Sequence, residues 1–174
     1  MSDARALLII GTVGAGKTTT AGAVGEALSE QGVPNAVIDL DAIRQAWPAP
    51  PDDPFHFRLT LRNLRSLAAG YLEAGFTRLV LAGVIETVEE RARLAEAVGA
   101  ELTVCRLRPR LPEVRARLAH RHVLEAESLS WHLARSGELH GILERAGLED
   151  VVVDVGRETP PELAVQVMKA AGWP

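Results

Sequence analysis

The sequence predicts an α/β fold: a three-layer domain around a parallel sheet of about five strands. Short apolar segments alternate with helical segments along the whole chain. The apolar segments lack the period-two pattern of a half-exposed strand, so both faces of the sheet are expected to be covered. The length of 174 residues matches roughly one domain of about 150 residues. No internal repeat, low-complexity tail or interdomain linker divides the chain.

Ala6 to Ile10 is an apolar run ending in a glycine and reads as a buried strand. Residues 16–31 carry small and apolar residues at helical spacing, and Gly32 stops them. Asn35 to Leu40 is a second strand, followed by a short helical turn reaching Trp47. Pro48 to Pro54 holds four prolines and two aspartates, which excludes regular structure. Phe55 to Ala74 carries leucines at 59, 61, 64, 67 and 72 and reads as a helix ended by Gly75. Arg78 to Ile85 is a third strand. Thr87 and Glu90 form a capping box for a helix reaching about Val98. Glu101 to Leu107 is a fourth strand. Pro112 opens a helix with Val114 and Leu118, and residues 123–146 are helical with a break at Gly137. Asp150 to Val155 is a fifth strand. Thr159, Pro160 and Glu162 supply a cap, a first-turn proline and a capping-box acid for a last helix to Ala171.

Composition narrows the function classes. Hydrophobic residues make up 47% and charged residues 24%, which excludes a disordered chain. Cys105 is the one cysteine, which excludes a disulfide scaffold. No apolar run approaches the roughly 18 residues of a membrane span. The N-terminus has no basic segment leading into a long apolar stretch, so a cytoplasmic location is the expectation. A net charge of -4 argues against a duplex nucleic-acid partner. Only Lys17 and Lys169 are lysines; every other basic residue except the histidines is arginine.

The strongest local signal is Gly11-Thr12-Val13-Gly14-Ala15-Gly16-Lys17-Thr18, which fits G-x-x-x-x-G-K-[ST] between a buried strand and a helix. Glycines let successive backbone N–H groups converge on an anion, and the helix N-terminus adds partial positive charge. Lys17 can reach β- and γ-phosphates, and Thr18 can ligate Mg²⁺. A ligand-free glycine turn would not require that lysine and threonine at those places. The candidate nucleotide contacts are Gly11, Gly14, Ala15, Gly16, Lys17, Thr18 and Thr19. The expected cofactors are ATP and Mg²⁺.

The N-K-x-D element of switch GTPases is absent, and the third strand ends Val84-Ile85-Glu86 without an aspartate. A metal-assisting carboxylate must therefore come from elsewhere. The second strand offers Asp39-Leu40-Asp41-Ala42-Ile43-Arg44 at its C-terminal end, the edge where open α/β sheets bind ligands. Period two points Asp39 and Asp41 the same way. The alternative for this pair is a helix cap and a solvated turn, with Asp41 capping the segment from Ala42.

This D-x-D-x-x-R pattern, about 20 residues after Lys17, resembles the P-loop small-molecule kinases. Adenylylsulfate kinase is the nearest in pattern, and the gluconate, shikimate and chloramphenicol kinases are related. The resemblance implies a P-loop NTPase domain over residues 1–174, with sheet order 2-3-1-4-5, an acceptor-side segment near 42–75 and a helical lid near 117–136. It further implies an ATP-dependent transfer of the γ-phosphoryl group to a hydroxyl of a small molecule. Asp41 would serve the acceptor, Asp39 the metal, and either could be the base. Arg62-Asn63-Leu64-Arg65 resembles the helix that carries E-N-I-R-R in adenylylsulfate kinases. Arg62 stands where they have glutamate, and Val84-Ile85-Glu86 where they have Ile-Ser-Pro. The resemblance thus carries over a reaction type and no sulfate-nucleotide acceptor.

Arg117-Leu118-Ala119-His120-Arg121 matches the R-L-x-x-R that precedes the lid in this group. By resemblance Arg117 would stack on adenine and Arg121 would touch the transferring phosphate, with Arg135 a further lid candidate. The loop Gly156 to Pro161 would line the adenine. Arg58, Arg62 and Arg65 lie on one helical face and could hold an anionic acceptor together with Arg44, or could simply face water. His120, His122, His132 and His140 fit no closed zinc site and read as surface or lid residues. Trp47, Trp131 and Trp173 read as packing residues, and Cys105 as inert core. The expected partner is a small-molecule acceptor, with no nucleic acid and no membrane, on a monomer or homodimer. Alternatives are a nucleoside or nucleotide kinase and a non-catalytic ATP-binding regulator; a polynucleotide 5′-hydroxyl kinase is disfavoured by the acidic balance.

Overall fold

A computed structural model of the chain describes residues 3–109, 112, 115–116, 119–120 and 126–174. The strands are β1 (Arg5–Ile10), β2 (Asn35–Asp39), β3 (Arg78–Ala82), β4 (Glu101–Pro109) and β5 (Val151–Val155). They form one parallel sheet in the expected order, β2-β3-β1-β4-β5. Its longer helices among the described residues are α1 (Lys17–Glu30), α2 (Phe57–Glu73), α3 (Val88–Val98), α4 (Ala126–Ala146) and α5 (Pro160–Ala170).

The central strand shows why period-two alternation is missing. Ala6, Leu8 and Ile10 of β1 join one core with Leu64 of α2, Leu94 of α3 and Leu139 and Leu143 of α4. Leu7 and Ile9 join the other with Val24 and Leu28 of α1 and Leu163 and Val167 of α5. Leu7, Leu8, Ile9 and Ile10 are all fully buried. Each contributes about 1.5–3 kcal/mol by leaving water. Neither face of β1 has room for a polar residue.

Several boundaries differ from the sequence reading, each for a local reason. The helix after the proline loop starts at Phe57, two residues late. The buried Asp53 accepts hydrogen bonds from the N–H groups of Phe57 (2.7 Å) and Arg58 (3.1 Å), so it ends the first turn from outside the helix. β3 stops at Ala82 and not Ile85, and Gly83 N–H makes a last ladder bond to the Ile9 carbonyl (3.2 Å). β4 continues to Pro109, paired with Val155 of β5. Asp150 lies outside β5; its carboxylate accepts from Val104 N–H and from Arg91 (both 2.8 Å). No break occurs at Gly137: α4 runs unbroken through it. A mid-helix glycine costs about 1 kcal/mol, and burial of Leu139 and Leu143 outweighs it. The helical turn after β2 is confined to Ala42–Arg44. Val114 and Leu118 lie outside the described residues.

The capping box of α5 is complete, with the Thr159 side chain taking the Glu162 N–H and the Glu162 side chain taking the Thr159 N–H; that of α3 is half-built. Thr87 Oγ1 accepts from Glu90 N–H (3.1 Å), but the Glu90 carboxylate accepts from Glu86 N–H (2.7 Å), one residue before the cap. Glu162 accepts from both the N–H and the hydroxyl of Thr159 (2.8 and 2.9 Å). Trp173 packs in the core, with the Arg78 guanidinium 5.8 Å from its ring centroid. The other two tryptophans correct the sequence reading: Trp47 is 91% exposed and Trp131 58% exposed.

Arg106 on β4 is buried and ion-paired to Glu144 (2.9 Å) and Glu149 (3.7 Å), which ties the end of α4 and the segment after it to the sheet. Gly83 is a close-approach position: a Cβ there would lie 2.6 Å from Leu40 Cδ1 and 2.9 Å from Leu40 Cβ. Leu40 sits between Asp39 and Asp41, and its N–H bonds to Ala82 O (2.9 Å). We predict that Gly83→Ala lowers unfolding free energy by about 1–3 kcal/mol, the usual cost of overpacking, as read by urea denaturation. Wild-type stability in the variant would refute the close approach. Burial pushes the Cys105 thiol up to about 12, so it is protonated at pH 8 and protected. A thiol reagent is expected to label the native protein far more slowly than the urea-unfolded chain; equal rates would contradict that burial.

Candidate functional site

Every strand of a parallel sheet ends at the same edge, so the chemistry-bearing residues gather there. The glycine loop leaves β1 and enters α1. Gly14 and Gly16 have φ of 80° and 88°, values a side chain would strain. Ala15 N–H bonds to Thr12 O (3.1 Å) and closes the turn. No side chain caps α1 and its first turn has no acidic residue. Helix starts leave backbone donors unsatisfied and carry partial positive charge. Gly14, Gly16, Lys17, Thr18 and Thr19 all line one cavity of about 570 Å³. The Lys17 ammonium donates to the carbonyls of Gly11 (3.2 Å) and Thr12 (3.1 Å), lying across the loop. Ala15 is buried under it.

Asp39 ends β2 and reaches this loop. Its Oδ2 accepts from the Thr18 hydroxyl (3.1 Å). Its Oδ1 accepts from the N–H groups of Asp41 (2.8 Å) and Ala42 (3.3 Å). Asp39, and not Asp41, therefore caps the short turn. Asp41 does not cap; it is ion-paired with Arg44, and both line the cavity. Arg44 also donates to Phe55 O (3.1 Å). The side chains of Asp39 and Asp41 share a location but not a partner. The hydroxyl of Thr18 beside the Asp39 carboxylate is a hard-oxygen pair, the donor chemistry suited to Mg²⁺ with several retained waters. Among the described residues no group of three or more His, Cys, Asp or Glu could hold a metal by itself.

The proline loop forms the far wall. Asp52, Asp53, Pro54, Phe55 and Phe57 line the cavity. The Arg58 guanidinium, through hydrogen bonding and charge, holds the Asp52 carboxyl below its usual value. Arg58 is thus turned to Asp52 (2.8 Å), Arg65 lies 3.9 Å from Glu96, and Arg62 is exposed. None of these three lines the cavity, so the structure does not bring Arg62 to the site.

Sequence reasoning passed over Glu86 except to note a missing aspartate. It lines the cavity just past β3, with Glu90, and forms an ion pair with Arg135 of α4. Arg135 also pairs with Glu138 (3.2 Å) and lies 5.7 Å from the Phe55 ring centroid. Its neighbour Ser136 donates to Val13 O of the glycine loop (3.3 Å). Trp131 and His132 of α4 complete the wall, with their ring centroids 5.0 Å apart. A carboxylate just past a buried strand end was the available signal for Glu86. Trp131 gave none, since an exposed tryptophan and a buried one look alike in a helical pattern.

A second groove of about 370 Å³ runs along the other side of the glycine loop, from Gly14 to Thr20, beside His120, Val155, Glu158 and Pro160. The backbone N–H groups of Glu158 itself and of Gly156 hold the Glu158 carboxyl low. His140 lies 3.9 Å from Glu144 and does not line the cavity. Arg117, Arg121 and His122 lie outside the described residues, and the lid segment 117–136 is described only in part.

No family model matches this sequence, and no curated protein matches it. Solved structures do share its fold. The tunicamycin resistance protein of Deinococcus radiodurans superposes with a TM-score of 0.66 at 20% identity, covering 98% of this chain and 97% of its own. A gluconokinase from Sinorhizobium meliloti gives 0.66 at 20% identity, covering 99% and 94%. The APS kinase of Mycobacterium tuberculosis, solved with AMPPNP and APS, gives 0.60 at 21% identity, covering 99% of both chains. The fold of this chain is that of the P-loop small-molecule kinases.

Proposed function

We propose that the protein is an ATP-dependent phosphotransferase that moves the γ-phosphoryl group to a hydroxyl of a small molecule. One observation carries the reading: the Thr18 hydroxyl at the mouth of the glycine loop is hydrogen-bonded to Asp39, while Asp41, next along the chain but one, lines the same cavity as Lys17. Donor and acceptor machinery thus share one space. The fold neighbours named gluconokinase and APS kinase support the same reaction type.

In this reading the loop amides and Lys17 hold the triphosphate, and Lys17 exchanges its carbonyl partners for phosphate oxygens. Thr18 and Asp39 would hold Mg²⁺, which would supply positive charge against the triphosphate. Asp41, oriented by Arg44, accepts the proton of the acceptor hydroxyl. The hydroxyl oxygen forms a bond to the γ-phosphorus, the bond from that phosphorus to the β–γ bridging oxygen breaks, and ADP leaves with the electron pair. Arg135 faces the same cavity from α4, and the walls formed by Phe55 and Trp131 limit water around the reacting groups.

Lys17→Ala is expected to weaken AMPPNP binding at least about tenfold by calorimetry, since it removes a charge-assisted contact to phosphate. Unchanged affinity would sink the assignment of the loop. Asp39→Asn should raise the Mg²⁺ concentration needed for half-maximal AMPPNP binding, with an unaltered Mg²⁺ requirement as the contrary result. Asp41→Asn should leave AMPPNP affinity within about twofold yet slow phosphoryl transfer by about 10²–10⁴, the range for losing a general base. A variant as fast as wild type would remove Asp41 from the reaction.

A further inference from the structure

The acceptor side of the cavity is rich in carboxylates. Asp41, Asp52, Asp53, Glu86 and Glu90 line it, against Arg44, Arg135 and, on the loop side, Lys17; His132 lies on the α4 wall. Both arginines already have acidic partners. Arg44 is paired with Asp41, and Arg135 is shared between Glu86 and Glu138. Among the described arginines that could have served an anionic acceptor, Arg58, Arg62 and Arg65 lie off the cavity, and Arg44, which lines it, is taken by Asp41. An acceptor carboxylate or phosphate would have to displace Asp41 or Glu86 from its arginine and then sit beside the displaced carboxylate. The triphosphate bound next to it adds further negative charge. A buried anion left facing carboxylates is strongly disfavoured.

Part of the remaining surface of the cavity is aromatic. Phe55 and Trp131 are both more than half exposed, and both line it. Large rings exposed inside a concave site mark where a ligand's apolar face lies. Their faces also attract cations, as the Arg135 guanidinium beside Phe55 already shows.

We propose that the acceptor is a protonated amino alcohol with an aromatic or similarly flat apolar group, its ammonium directed to Asp41 and Glu86 and its apolar face laid on Phe55 and Trp131. This rests on the phosphotransferase reading and names the substrate class of the same site. The ammonium gains charge-assisted hydrogen bonds from carboxylates that an anion would repel. Glu86 is then a specificity-determining residue, which selects by charge and takes no part in the transfer.

The test uses three probes that share a phenyl ring and a hydroxyl: 2-amino-1-phenylethanol, 1-phenylethane-1,2-diol and mandelate. AMPPNP with Mg²⁺ is titrated first by calorimetry, and each probe is then titrated into the AMPPNP-loaded protein. The amine is expected to bind at least about tenfold tighter than mandelate, with the diol between them. Glu86→Gln is expected to weaken the amine about fivefold and to move the diol less than about twofold. The proposal is overturned if mandelate binds as tightly as the amine, if the three bind alike, or if none binds. An amine affinity untouched by Glu86→Gln overturns the role of Glu86. The wild-type series decides the acceptor class even if that variant fails to fold. Absence of AMPPNP binding would instead refute the phosphotransferase reading itself, whereas AMPPNP binding with mandelate preferred refutes only the acceptor class.

Discussion

The start of α1 is the constraint on which the rest of the molecule depends. A helix that begins at a left-handed glycine, with no side-chain cap and no acid in its first turn, leaves backbone donors facing outward at the carboxyl edge of the sheet. Such an end is costly if buried without a partner and productive beside an anion. The chain holds it rigidly. β1 is buried on both faces, so the loop that follows cannot shift without disturbing two cores. Ala15 is buried beneath the turn, and Lys17 and Ser136 bind its carbonyls from opposite sides.

Asp39 reaches this loop across an intervening strand, since β3 lies between β1 and β2. Two features of β3 make that reach possible. It ends at Ala82, and Gly83 has no side chain to push Leu40 away. Leu40 packs down into the gap and is buried, which leaves Asp39 and Asp41 on either side of it. Asp39 then divides its two oxygens between Thr18 and the backbone of the next turn. One carboxylate thereby couples the geometry of the turn after β2 to that of the glycine loop.

The charge arrangement follows from the arginine-rich composition. Arginine is planar and forms strong paired contacts with carboxylates, and both described arginines that line the cavity, Arg44 and Arg135, are held in such pairs. Arg44, Arg58 and Arg135 each have a carboxylate partner; Arg58 ties the proline loop to the start of α2, and Arg135 ties the middle of α4 to the segment after β3. Arg135 does most to join the separate segments, because Glu86 from the sheet edge and Phe55 from the proline loop meet on it. Among the described residues the cavity is consequently built in large part from ion pairs and aromatic walls.

The sequence by itself determined the layer architecture, the sheet order through its resemblance, the glycine loop and the strand-end aspartates. Each of these is encoded locally: apolar runs without alternation, glycines at fixed offsets from a lysine, and carboxylates just past an apolar run. The division of labour between Asp39 and Asp41 was not legible, because both lie at one strand end and only their partners, Thr18 and Arg44, tell them apart. The same holds for Arg62, which shares a helical face with Arg58 and Arg65 and turns out to face solvent. Glu86 lies 49 residues before Arg135, which shares α4 with Trp131. Only the tertiary structure decided that they meet, because ion pairing and ring contact depend on distances that a one-dimensional pattern does not contain.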